Sequence, residues 1–168
     1  VRQELLLPVE PWYIVLTIMI GFLLGLVPFP NAWWVPDFLA LVLVFWLIFQ
    51  PHRVGIFVSW LMGILVDVHR AAALGENAMT YTLMAYFALM LHQRIRWFGS
   101  WLQALHILPI LFVPQLARMI LRMYTAGESP SWSIFSSCLV GALLWPIVSY
   151  ILFSRQRRAI AKDDTRPI

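Results

Sequence analysis

"VPDFLALVLVFWLIFQPHRVGIFVSWLMGILVDVHR", residues 35–70, decides the fold class. Two apolar runs flank a short polar turn, and no charged residue lies between Asp37 and Arg53 or between Arg53 and Asp67. Pro51 and Gly55 punctuate the turn, with His52 and Arg53 between them; such residues mark chain reversals. The runs lack the alternating polarity of a transmembrane strand. An apolar segment in lipid must satisfy its backbone internally, which a helix does. The stretch is therefore predicted to be a helical hairpin in a membrane.

The rest of the chain repeats the pattern. Of its 168 residues 61% are hydrophobic and 12% charged, with a mean hydropathy of +0.79. A soluble domain carries about twice that charged share. Six apolar segments emerge, at about 11–27, 35–50, 54–68, 78–92, 99–121 and 132–153; a crossing takes ~20 mostly apolar residues. The predicted fold is an all-α, six-transmembrane helix bundle forming one membrane domain, with a short basic tail over 154–168. Pro109 and Pro114 are expected to kink the fifth segment. Arg2, Glu4 and Glu10 precede the first run, and "VPFPNAWW" after it lacks a small-x-small cleavage site, so it reads as an uncleaved anchor.

Lys and Arg set the orientation. With six spans, one side holds Arg2, Arg53, Arg94, Arg96, Arg155, Arg157, Arg158, Lys162 and Arg166, nine in all; the other holds three, Arg70, Arg118 and Arg122. Both termini are predicted to be cytoplasmic. Trp12, Trp97 and Trp101 would then mark the inner interface, and Trp33, Trp34 and Trp132 the outer one. The tail reads as a topology anchor on anionic lipid.

Little in the sequence points to chemistry. His52, His69, His92 and His106 have no metal-ligand spacing. Cys138, the one cysteine, can form no intrachain disulfide and reads as a small packing residue. Serines in the spans have no G-x-S-x-G around them, and there is no glycine-rich phosphate loop. No catalytic, cofactor or metal site is predicted, and no nucleic-acid partner.

The carboxylates are more informative. Asp37 follows Pro36 at a helix start, where the macrodipole favours an anion. Asp67 lies near a helix end, where the dipole opposes it, so it needs water or a cation. Arg118 and Arg122, spaced i,i+4 on one helix face, are the expected partners; Arg70 is nearer in sequence but borders the aqueous loop. The readings for this group are a structural ion pair or a contact with a partner. Gly21 and Gly25 in "GFLLG" have the small-xxx-small spacing that lets helices approach.

The chain resembles the MreD family of rod shape-determining membrane proteins. The likeness rests on Pro36-Asp37, the Pro51-His52-Arg53 turn, Gly63 followed by Asp67, Leu74-Gly75, and Trp145-Pro146 in "GALLWPIVSYILF". Gly63 joins the candidate packing glycines. The stretch "DVHRAAALGENAM" is more charged than is usual in the family. The resemblance implies a non-enzymatic scaffold of the bacterial inner membrane that binds MreC. It also implies a complex with RodA, a class B penicillin-binding transpeptidase and MreB, supporting lateral peptidoglycan synthesis. It further implies a fold similar to the substrate-binding subunits of energy-coupling-factor transporters, with a concavity rimmed by Asp37, Asp67, Arg118 and Arg122. A small-molecule-binding transporter subunit and an intramembrane enzyme on a lipid-linked precursor are the competing readings. A copurifying ligand would mark the first, and a carboxylate needed for turnover but not assembly the second.

Overall fold

A computed structural model of the chain describes residues 10–27, 35–70, 73–127 and 133–163. These residues form six helices and no strand: α1 (Pro11–Leu26), α2 (Phe38–Phe49), α3 (Ile56–Arg70), α4 (Glu76–Ile95), α5 (Ser100–Ala126) and α6 (Ser133–Asp163). Trp33, Trp34 and Trp132 lie outside the described residues, as do Arg2 and Arg166.

The bundle is organised around α2. Every residue from Leu39 to Phe49 except Val42 is buried, because α1, α4 and α6 all pack on this helix. A helix that is apolar all round belongs in an interior, and "FLALVLVFWLIF" offers no polar face. Its large rings interlock with α6: Phe45 meets Phe153 edge-on at 5.0 Å between centroids, and Phe49 does so at 4.6 Å. Buried indoles find acceptors, as they must. Trp46 Nε1 donates to Thr17 Oγ1 on α1 at 2.8 Å, and Trp145 Nε1 to Gln103 Oε1 on α5 at 3.2 Å.

The outward faces are apolar too. Val15, Leu23, Phe57, Val68, Leu105, Leu143 and Ile151 are all exposed, on α1, α3, α5 and α6. Water does not cover such continuous apolar surface in a stable monomer; lipid does. Two helices, Trp101–Tyr124 and Phe135–Ser154, are long and apolar enough to cross a membrane. The hairpin helices are shorter. The 12 residues of α2 rise about 18 Å and the 15 of α3 about 22 Å, less than the ~30 Å of hydrocarbon. Helical length alone therefore does not carry either across.

The elements differ from the sequence expectation mainly at their ends. α5 continues through Pro109 and Pro114. α6 does not stop at 153 but runs to Asp163, since Arg, Gln, Ala and Lys are good helix formers. The turn at Pro51-His52-Arg53 is tight: Arg53 N and Val54 N both donate to Gln50 O, at 3.0 and 3.1 Å. Trp12, Trp97 and Trp101 are exposed at the end of the bundle where this turn lies.

The glycines separate by role. A Cβ on Gly63 would stand 2.4 Å from Ala78 Cα and 2.7 Å from Ala78 N, so α3 and α4 touch backbone to backbone there. A Cβ on Gly21 would meet Val42 Cγ2 at 3.2 Å and Leu39 Cα at 3.4 Å. Gly25, expected to pack as Gly21 does, has nothing within 4 Å of its Cβ position. The reason is where α2 begins. Gly21 already faces Phe38 and Leu39, so one turn further along α1 has passed the start of α2.

Candidate functional site

The polar residues gather at the end where α2 and α4 begin, opposite the hairpin turn. Gly63 creates the geometry. With no side chain there, α3 lies against the first turn of α4, and Asp67, one turn after Gly63, meets the α4 N-terminus.

Asp67 is fully buried and accepts four hydrogen bonds. Oδ1 takes Asn77 N at 2.9 Å and Asn77 Nδ2 at 2.8 Å. Oδ2 takes Gly75 N at 3.0 Å and Ala78 N at 3.2 Å. A carboxylate has about four acceptor sites, and all are filled. Three of the donors are backbone N–H groups at a helix start, which carry the positive end of the macrodipole. Gly75 holds φ at 101°, a left-handed turn that glycine adopts without strain. Asp67 thus caps α4 from a neighbouring helix.

This corrects the expected ion pair. Neither Arg118 nor Arg122 bonds to Asp67. Both turn to Glu76, the first residue of α4: Arg122 Nε donates to Glu76 Oε1 at 2.6 Å, and Arg118 Nε lies 3.5 Å from the same oxygen, close enough for an ion pair but not aligned as a hydrogen bond. Arg118 reaches Asp67 only through an intermediary, since its Nη1 donates to Asn77 Oδ1 at 2.9 Å while Asn77 donates to Asp67. The expected cation is replaced by an amide and a helix dipole.

Asp37 sits at the start of α2 as an N-cap, accepting from Ala40 N at 3.0 Å. Its other oxygen, Oδ2, accepts the Tyr81 hydroxyl at 2.6 Å, tying α2 to α4. Arg70 is exposed at the end of α3 and shares a small cavity with Asp37, Tyr81, His69 and Gly25.

Glu76, Asn77 and Tyr81 escaped the sequence reading. One signal was present: an acidic residue straight after a glycine, opening an apolar run, marks a helix first turn. Nothing local ties Glu76 to arginines 42 and 46 residues further on.

Among the described residues no three His, Cys, Asp or Glu side chains converge as a metal site. What the arrangement does is join helix termini at one end of the bundle: the end of α3 to the start of α4 through Asp67, the start of α4 to the end of α5 through Glu76, and the start of α2 to α4 through Asp37. An all-helical membrane protein whose buried polar groups lock its helices together is the class these observations define.

Within that class the comparisons are specific. The family profile for the rod shape-determining protein MreD matches residues 9–155, and the chain belongs to that family. A curated relative, the rod shape-determining protein MreD of Haemophilus influenzae, is 26% identical over 152 residues, covering 89% of this chain and 93% of its own. No solved structure matches. The family places the protein in the system that determines rod cell shape.

Proposed function

We propose that this chain is a non-enzymatic, multi-pass scaffold of the bacterial inner membrane that binds MreC and supports lateral peptidoglycan synthesis. The observation that carries the reading is family membership over residues 9–155. The structure adds support of two kinds. The buried carboxylates have hydrogen-bond partners that hold helices together, so their geometry favours rigidity over turnover. The exposed apolar faces of α1, α3 and α6 offer a lipid-compatible surface on which a partner helix packs by van der Waals contact and occasional hydrogen bonds.

In this reading all six helical segments lie in the membrane, with the short α2 sheltered by its neighbours and α3 facing lipid on one side. The nine-to-three bias of Lys and Arg favours cytoplasmic termini. The Asp67–Glu76 cluster then lies at the periplasmic end. RodA, the transpeptidase and MreB join the same complex through MreC or beside it. The rigid cluster keeps the periplasmic ends of α2 to α5 in one arrangement, so that a partner meets a preformed surface.

Complementation tests this. Expressed in rod-shaped cells depleted of their own MreD, the chain restores rod shape, and MreC is recovered with it from solubilised membranes. Round cells containing normal amounts of inserted chain would count against the reading.

A further inference from the structure

We propose that the cavity between α2, α4, α5 and α6 is a hydration site that holds about one or two water molecules against Gln115 and Asp37. The cavity is walled by Asp37, Tyr81, Leu111, Pro114, Gln115 and Cys138, among others, and offers ≈ 20 Å³ to the centre of a water molecule. One water needs about 10–15 Å³ measured in that way, and a polar wall.

The wall is polar where it matters. Gln115 Oε1 is buried and has no hydrogen-bond partner among the described residues, a costly state for an amide oxygen. Asp37 accepts two hydrogen bonds, from Ala40 N and Tyr81 Oη, and a carboxylate has about four acceptor sites. Two acceptors with capacity to spare thus lie on the wall of one water-sized space. The water donates to Gln115 Oε1 and to Asp37, a carboxylate with acceptor capacity to spare.

Cys138 reports on this site without any engineering. It is the only cysteine in the chain, it lines the cavity, and its Sγ donates to Leu111 O at 3.7 Å. The full chain in lipid nanodiscs therefore gives a single S–H infrared band. On transfer to heavy water that band converts to S–D while the backbone amides of α2 stay protiated, which shows that water arrived without unfolding. Gln115→Leu removes the water's anchor and slows the conversion roughly tenfold, the factor one hydrogen bond supplies. Gln115→Met serves if the leucine variant does not fold. A persistent S–H band in the wild-type chain would overturn the proposal. Conversion at the wild-type rate in a folded Gln115 variant would overturn it too.

Discussion

Replacing Asp67 by Asn separates a helix cap from an ion pair. The wild-type carboxylate receives two N–H donors on each oxygen. An asparagine keeps one oxygen and puts an amino group where the other was. In its better orientation it satisfies one pair of donors and turns N–H groups toward the second. Two donors are left buried without an acceptor, each costing ~1–3 kcal/mol. Relaxation of the loop before Gly75 recovers part of this, so the expected loss is about 3 kcal/mol. The attraction between the charge and the α4 dipole is lost as well, adding ~0.3–1 kcal/mol. Reversible unfolding in mixed detergent micelles measures the difference. The same assay on Asp67→Arg combined with Arg118→Asp or Arg122→Asp shows no rescue, because neither arginine bonds to Asp67. A change below about 0.5 kcal/mol for Asp67→Asn, the scale of an ordinary surface substitution, would refute the cap. Rescue by the charge swap would restore the ion pair in its place.

Three further outcomes follow from the geometry. Gly63→Ala drives a methyl into the Ala78 backbone and costs at least ~1–3 kcal/mol, whereas Gly25→Ala, with open space around it, is neutral or stabilising by up to ~1 kcal/mol; unfolding midpoints of the two variants settle the contrast. Glu76→Gln removes the charge that Arg118 and Arg122 face and costs about 2–3 kcal/mol, below the full value for a buried pair because the Arg122 side chain is 41% exposed. Arg122→Ala, measured beside it, costs about 1 kcal/mol or less. Tyr81→Phe removes a short hydrogen bond to a carboxylate and costs ~1.5–3 kcal/mol, read in the same titration.

How much of this was legible beforehand depends on distance along the chain. The six helices follow from runs of apolar residues between prolines, glycines and charges, a local property. Asp37 as a helix start was readable for the same reason: Pro36 and Asp37 adjoin the helix they begin. Asp67 was readable as a problem but not as a solution. Its donors lie eight to eleven residues on, across a loop whose glycine takes a positive φ, and only the close approach at Gly63 brings them into reach. A neighbouring helix start carries a compensating dipole, so the carboxylate needs no cation. Glu76 was missed because its arginines belong to α5, and no sequence period links a helix start to side chains near the far end of the next helix. Nor did hydropathy alone single out α2 as the buried centre. Its apolar residues look like those of α1, and which helix faces lipid is decided by packing.

The central claim is a scaffold that holds MreC, and the most direct measurement is affinity isolation of this chain from native membranes with mass spectrometry of what accompanies it. MreC is expected in near-stoichiometric amount. Recovery of a small molecule or an ATPase module with no MreC would contradict it.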